Sequence, residues 1–375
     1  MKRRIAIHIG MAIVFLVGAF TLCLSAYQAH AGTRPMTLKV QASWPPGIIA
    51  YDNLKMFAER VEKMSGGRLK IEHLPAGAVV GPFEVLDATS RGVIDGAHTA
   101  PGYWVGKHWA AIPLSHGPLF GMDYIDFYGW YYEGGGYELL QEWYQQVLKL
   151  NVVSFPIQPG GPQAMGWFKR KIEGWDDFKG VKFRIYGLGA DVFKEAGMSV
   201  VTLPGAEILP AAERGVIDGA EWVGGIQDLQ LGFHNVWKIH YTPGMHEQVT
   251  VGDLLINKDI YDKLSPDLQE IIKVASREVW FTWWAKFQKA NAEAYKEMVE
   301  KHGVQVYRTP DDVLRKFMEI YDKVVERQMA ADPFVKKVME SQRQWASLVV
   351  PYRRSTWPPY QFLSDHYWKE KIFLR

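Results

Sequence analysis

Four polar side chains of this sequence stand beside predicted strands, where α/β proteins bind their ligands. Gln163 ends the Gly- and Pro-rich loop 158–163, which follows a strand. Arg184 lies inside an apolar strand, and strand alternation points it away from its apolar neighbours. Glu221 directly follows a further strand, and Glu247 follows a turn. The strand ends of an open α/β sheet meet at one edge, so these side chains could share a cleft.

These residue types favour binding of a small anion together with a metal ion. A guanidinium such as that of Arg184 pairs with a carboxylate through two parallel charge-assisted bonds. A carboxylate and an amide oxygen, as in Glu221 and Gln163, suit a hard cation. Each residue alone could equally be an ordinary salt-bridged polar group, and only the set of four favours a site.

The elements that must position these residues follow from a repeated segment. RGVIDGA occurs at 91–97 and again at 214–220, within a longer shared pattern E-x-L-x-A-x-x-R-G-V-I-D-G-A. It predicts the end of a helix, a glycine stop and a short strand. One copy in each half of the chain predicts two similar α/β lobes.

A mixed α/β order surrounds the repeats. Predicted strands are 38–42, 69–74, 92–99, 151–156, 179–185 and 249–257, the last returning to the first lobe. Ser265-Pro266-Asp267 predicts the start of a helix that continues to about residue 302. At 1.5 Å per residue it spans roughly 55 Å, so it either braces both lobes or breaks in the middle. The last third of the chain is predicted to be helical.

The N-terminus has the form of a secretory signal peptide. Lys2, Arg3 and Arg4 precede an apolar run, and Ala29-His30-Ala31 fits a small-x-small cleavage pattern. The alternatives are an uncleaved membrane anchor or a lipid-anchored form. Cleavage near Ala31 removes the single cysteine and changes the formal net charge from +2 to −1. The mature chain then has neither disulfides nor a basic excess that would favour nucleic acid.

The predicted organisation has five parts. These are a signal peptide at 1–31, lobe I at 32–155, lobe II at 156–247, a return strand at 248–262, and a long bridging helix with a C-terminal helical region at 263–375. Motifs of metalloproteases, phosphate-binding loops and serine hydrolases do not occur in the sequence.

Several motifs together resemble one known family, the periplasmic solute receptors of tripartite ATP-independent periplasmic (TRAP) transporters. They are Trp44-Pro45, GWFKR at 166–170, KFRI at 182–185, both RGVIDGA segments, Glu221-Trp222-Val223-Gly224 and Pro243-Gly244. The resemblance covers nearly the whole mature chain. It is strongest for the branch that binds 2-oxo acids or hydroxy acids with a metal ion.

The resemblance implies a two-lobed receptor that closes on its ligand, with a long helix across both lobes. Arg184 matches the arginine that grips the substrate carboxylate, and Glu247 an acidic residue of the cleft. Gln163, Glu221 and Trp222 match the positions that hold a sodium or calcium ion. Gln158, Trp44 and Tyr103 complete the expected ligand-binding set. The prolines before Gln163 depart from the family pattern, so the substrate is left open.

The family also implies partners. The expected partners are a small organic acid and the integral-membrane subunits of the transporter. A homodimer formed through the C-terminal helices is a further expectation. Two other functions remain open at this stage. One is a periplasmic hydrolase with Glu221 and Glu247 as its acid pair, although Arg184 nearby would suppress proton donation. The other is a receptor that serves a sensor kinase.

Overall fold

The structure is a computed structural model that describes residues 35–117 and 120–369. The predicted signal peptide and its cleavage point lie outside these residues. Within the described ranges, no helix is both long and apolar enough to cross a membrane.

Eleven strands form two sheets in the described residues. The strands are β1 (Met36–Ala42), β2 (Leu69–Leu74), β3 (Gly96–Thr99), β4 (Val152–Gly160), β5 (Gly166–Phe168), β6 (Lys182–Arg184), β7 (Ser199–Val201), β8 (Gly219–Ala220), β9 (Ile239–Thr242), β10 (Thr250–Asn257) and β11 (Gln305–Arg308). Sheet I has the order β2-β1-β3-β10-β4, and sheet II has the order β11-β9-β5-β8-β6-β7.

The α-helices cover the sheets and form the C-terminal part of the chain. They are α1 (Ile49–Met64), α2 (Val85–Ser90), α3 (Pro113–His116), α4 (Tyr124–Glu133), α5 (Gly136–Glu142), α6 (Gly187–Glu195), α7 (Gly205–Glu213), α8 (Gly225–Gln230), α9 (Phe233–Val236), α10 (Lys258–Tyr261), α11 (Pro266–Glu300), α12 (Asp311–Ala331), α13 (Pro333–Thr356) and α14 (Tyr360–Trp368). A π-helical segment, 143–147, extends α5, and three short 3₁₀ helices occupy 101–104, 109–111 and 175–178.

The repeated segment has the same structural role in both sheets, which confirms the two-lobed α/β prediction. Each copy ends a helix with a glycine at positive φ and then enters a strand, β3 or β8, that pairs in parallel with β1 or β6. The last glycine of each copy meets a neighbouring antiparallel strand very closely. A Cβ on Gly96 would lie 2.5 Å from the Leu255 carbonyl oxygen, and one on Gly219 2.4 Å from that of Trp167. Both positions therefore require glycine.

The loop predicted around Gln158 was wrong, because β4 continues through it to Gly160. Gln158 pairs with Gly252 of β10. The prolines at 156 and 159 are typical of loops, but β4 is an edge strand with β10 as its neighbour in sheet I. An edge strand tolerates proline, since one side of its backbone needs no partner. The predicted boundary between the lobes at 155/156 stays a prediction.

A wholly helical C-terminal region was also wrong. Gln305–Arg308 forms β11, which pairs in parallel with β9 at the edge of sheet II. The four-residue segment has too little pattern to be recognised, and its pairing partner is more than 60 residues away in sequence.

The long predicted helix is continuous and braces both lobes. Helix α11 has 35 residues and packs against β4 and α1 in lobe I and against α8 in lobe II. The indole of Trp283 donates to the Pro159 carbonyl at 3.1 Å, and Asn291 Oδ1 accepts from the Ile226 backbone N–H at 3.0 Å. The aromatic stripe of this helix is core packing, with Trp280, Trp283 and Phe287 buried.

Candidate functional site

The two lobes meet at a cleft with aromatic walls. Trp44 of lobe I contacts Trp222 of lobe II edge to face, with ring centroids 6.2 Å apart. Tyr103 and Tyr186 form a second contact across the cleft at 5.2 Å. A cavity with a free volume of about 40 Å³ lies among these rings, and Gln158, Gln163 and Thr250 also line it. The two lobes therefore contact each other around a small space.

Arg184 and Glu221 form a fully buried ion pair beside this cavity. They lie at the ends of neighbouring strands, since Arg184 of β6 pairs with Ala220 of β8. Arg184 Nη1 donates to the Glu221 carboxylate at 2.6 Å and to its carbonyl at 2.7 Å, and Nε donates to the Leu203 carbonyl at 3.1 Å. Nη2 is buried without a hydrogen-bond partner. The sequence predicted that Arg184 would donate two parallel hydrogen bonds to a ligand carboxylate. In this state only Nη2 of its guanidinium has no protein acceptor.

Gln163 and Glu247 meet where the chain crosses between the lobes. The segment after β4 carries Gln163, and the segment before β10 carries Glu247. Their backbones are joined, with the Gln163 N–H donating to the Glu247 carbonyl at 3.0 Å. The Gln163 side-chain amide donates to the Glu247 carboxylate and, at 2.9 Å, to the Thr250 hydroxyl. This polar group therefore lies at the hinge.

The charge state of Glu247 is perturbed by its surroundings. Burial raises the pKa of its carboxyl well above the ordinary value, and repulsion from Glu221 raises it further. The hydrogen bond from Thr250 acts in the opposite direction. The other Glu247 oxygen, Oε1, lies 3.5 Å from His116 Nε2. Burial lowers the pKa of His116 to about 3, so its ring is neutral near pH 7.

Unpaired oxygen atoms are concentrated in this region. Gln163 Oε1, Glu221 Oε2 and Glu247 Oε1 are buried and have no hydrogen-bond partner. An unpaired buried acceptor is costly, and a bound cation would satisfy it. In the part of the chain that the structure describes, no three His, Asp, Glu or Cys side chains cluster as a metal site. A cation here would need amide and backbone oxygens as well as Glu221, which fits the predicted set of Gln163, Glu221 and Trp222.

Asp228, a residue not predicted from the sequence, holds the loop that carries Glu221 and Trp222 through hydrogen bonds. One Asp228 oxygen accepts from the backbone N–H groups of Val223 at 3.1 Å and Gly224 at 2.7 Å. The other accepts from the Trp167 indole at 2.7 Å. Burial raises the pKa of Asp228 to about 6, and these hydrogen bonds oppose the shift. Asp228 holds the turn that presents the Glu221 side chain.

The structure brings all eight predicted residues to the cleft, in two groups. Trp44, Tyr103, Gln158, Gln163 and Trp222 line the cavity. The other three, Arg184, Glu221 and Glu247, are buried directly behind its wall, where Arg184 lies 4.9 Å from the Trp222 ring centroid. His246, which directly precedes Glu247, places Nε2 3.6 Å from Glu221 Oε2. Sequence reasoning missed Tyr186, Thr250 and His116, and their spacing carries no signal for the site.

Comparisons with known proteins identify the family. Residues 40–332 match the model of bacterial extracellular solute-binding proteins, family 7. The chain belongs to this family. A monocarboxylate 2-oxoacid-binding periplasmic protein of a Nostoc species is 32% identical over 94% of this chain and 96% of its own length.

Two solved structures share the fold over almost their whole length. A TRAP periplasmic solute-binding protein of Pseudoalteromonas atlantica, with bound sodium and pyruvate, is 30% identical with a TM-score of 0.81; the match covers 90% of this chain and 100% of the other. A TRAP transporter solute-binding protein of Bordetella bronchiseptica, a dimer with calcium and picolinate in one site, is 25% identical with a TM-score of 0.84 over 90% and 98%.

The family and these relatives show the class of the protein. It is a solute-binding receptor of the TRAP type rather than an enzyme, and the relatives named above bind small carboxylates. The hydrolase alternative is therefore not favoured, nor is a receptor for a sensor kinase.

Proposed function

We propose that this receptor captures a short 2-oxo or 2-hydroxy monocarboxylate between its lobes, together with a sodium or calcium ion. The observation that carries the proposal is the complementary pair of unsatisfied groups at the cleft. Arg184 Nη2 is a buried donor without an acceptor, while Gln163 Oε1 and Glu221 Oε2 are buried acceptors without a donor. A carboxylate satisfies the first, and a cation satisfies the second.

The proposed roles follow from these positions. Arg184 binds the ligand carboxylate. The cation is held by Gln163, Glu221 and the Trp222 carbonyl, and it supplies positive charge that the ligand's carboxylate and 2-oxygen can share. Trp44, Tyr103 and Trp222 enclose the remainder of the ligand, with Gln158 at the cavity wall. Two of the relatives, which bind pyruvate with sodium or picolinate with calcium, support this combination of small acid and metal.

The cavity supports a small ligand. A site for one water molecule needs on the order of 10–15 Å³ of such free volume, so about 40 Å³ corresponds to a few water-sized groups. The aromatic wall favours an apolar remainder. We infer a short alkyl chain, as in pyruvate, ahead of a dicarboxylate, whose second charge would be buried against aromatic rings.

Delivery and location complete the proposal. The receptor acts in the periplasm after removal of residues 1–31 and passes its ligand to the membrane subunits of a TRAP transporter.

A second copy of the chain could dock on the exposed aromatic side chains of α14, which include Tyr360, Phe362 and Tyr367. Light scattering gives the mass in solution, and a monomeric mass would exclude the dimer.

Lobe closure is the expected response to the ligand. Ligand contacts both lobes only in the closed state, so binding must shift the equilibrium towards it. Pyruvate with calcium added to ligand-free protein is therefore expected to reduce the radius of gyration in small-angle scattering. Trp44 and Trp222 come together on closure, so tryptophan fluorescence should change as well. Propionate, which lacks the 2-oxo group, is the matched control. Tight pyruvate binding without compaction would place the site within one lobe and contradict the proposal.

A further inference from the structure

A closed hydrogen-bond ring connects three side chains at the hinge. Gln163 Nε2 donates to Glu247 Oε2 and to Thr250 Oγ1, and Thr250 Oγ1 donates to Glu247 Oε2 at 2.6 Å. Gln163 comes from the first crossing segment, whereas Glu247 comes from the second and Thr250 opens β10. The side chains of Gln163 and Glu247 are 1% exposed, so water does not compete for these bonds.

The ring determines which end of the Gln163 amide is used for hydrogen bonds within it. A side-chain amide has nearly the same shape at both ends, but one end donates and the other accepts. The single proton of the Thr250 hydroxyl goes to Glu247, so the Thr250 oxygen must accept from Gln163. Glu247 Oε2 accepts both bonds whether the carboxyl is ionised or carries its proton on its other oxygen. Thr250 and Glu247 therefore both demand the NH₂ end, and Gln163 Oε1 is turned away from the ring. This amide oxygen is buried and has no hydrogen-bond partner.

The position of Glu247 is itself fixed by tight packing on its far side. Its second oxygen lies 3.5 Å from His116 Nε2. The His116 ring is packed against two glycines that could not carry a side chain there. A Cβ on Gly102 would lie 2.3 Å from His116 Nε2, and one on Gly187 2.6 Å from His116 Cε1. Glu247 itself does not line the cavity, but Tyr186, which does, interacts with its carboxyl group and lowers its pKa. Its other contacts are to Gln163 and Thr250 at the hinge and to His116 behind it.

We propose that Glu247 is a positioning residue which, with Thr250, orients the Gln163 carbonyl oxygen toward the bound cation. The inference rests on the cation of the proposed function, and it replaces direct ligand contact as the role of Glu247. Without this constraint the amide of Gln163 can reverse and present its NH₂ end, which repels a cation.

The variant Glu247→Gln tests this role at nearly constant shape. The amide introduced at this position can keep the ring through its own carbonyl, or it can donate to Thr250 and to the Gln163 oxygen with the Gln163 amide reversed. The single orientation that the carboxylate imposes is therefore lost. Calorimetry measures the affinity for pyruvate in sodium-free buffer, once with a chelator and once with calcium chloride. The ratio of the two affinities is the cation enhancement. We expect this ratio to fall at least tenfold in Glu247→Gln, and calcium binding without pyruvate to weaken in parallel.

Three controls separate positioning from a merely structural role. Thr250→Ser keeps the hydroxyl and should keep the enhancement, whereas Thr250→Val removes one of the two acceptors and should reduce it in part. Glu207→Gln, an exposed site on α7, makes the same chemical change elsewhere. A structural defect would lower the melting temperature and weaken pyruvate binding equally with and without calcium.

Two results would overturn the inference, and they are distinguishable from each other. An enhancement in Glu247→Gln within twofold of the wild-type value shows that Glu247 does not orient Gln163, while the proposed function stands. Pyruvate and calcium binding that are independent of each other in the wild type remove the cation from the proposed function and this inference with it.

Discussion

Arg184→Ala is expected to abolish detectable pyruvate binding. The loss of a buried charge-assisted contact costs about 2–5 kcal/mol, which corresponds to a 30- to several-thousand-fold weaker affinity. The ligand would contact Nη2, since Nη1 and Nε already donate to Glu221 and Leu203. Calorimetry with pyruvate and calcium measures the change.

The same substitution also affects folding, and a second variant separates the two effects. Removing Arg184 leaves Glu221 buried without its partner, which destabilises a protein by about 3–5 kcal/mol. Arg184→Lys keeps a positive charge for Glu221 but loses the planar guanidinium. It should remain folded by circular dichroism and still bind pyruvate at least about 30-fold more weakly. An affinity equal to that of the wild type would remove Arg184 from the site.

Glu221→Gln is expected to eliminate the cation enhancement of pyruvate binding. The carboxylate is the one charged group in the proposed set of cation ligands, and a neutral amide holds a hard cation much less strongly. The side chain keeps an oxygen that can accept from Arg184, so the pair retains a hydrogen bond. We expect pyruvate affinity in calcium to fall about a hundredfold, on the scale of a charge-assisted contact.

Metal titration checks this prediction directly. Calcium added to ligand-free wild-type protein should bind in a 1:1 ratio, and Glu221→Gln should show no binding in the same range. Glu207→Gln is again the matched control. A normal calcium isotherm for Glu221→Gln would place the cation elsewhere or remove it from the account.

The sequence predicted the parts of the site that depend on local pattern. RGVIDGA marked the glycine after each helix and the start of β3 and β8, and strand alternation pointed Arg184 away from its apolar neighbours. These features need only the periodicity of strands and the glycine stop of helices. The presence of one copy in each half of the chain also predicted the two lobes.

What the sequence could not predict depends on contacts between distant segments. Thr250 joins Gln163 across 87 positions of the chain, and His116 of α3 lies 3.5 Å from Glu247, which comes more than 100 positions later. Such pairs have no local signal, because they form only when the two crossing segments lie side by side. Gln158 was misplaced for a related reason. Its prolines fit a loop, and only the order of sheet I shows that β4 is an edge strand.

A short 2-oxo acid and a cation are proposed to bind together between the lobes. Calorimetry of pyruvate binding to ligand-free wild-type protein, with and without calcium or sodium, is the decisive measurement. Pyruvate is expected to bind in a 1:1 ratio and at least tenfold more tightly with one of the two cations. No binding of pyruvate, or of longer 2-oxo and 2-hydroxy acids, under either condition would contradict it.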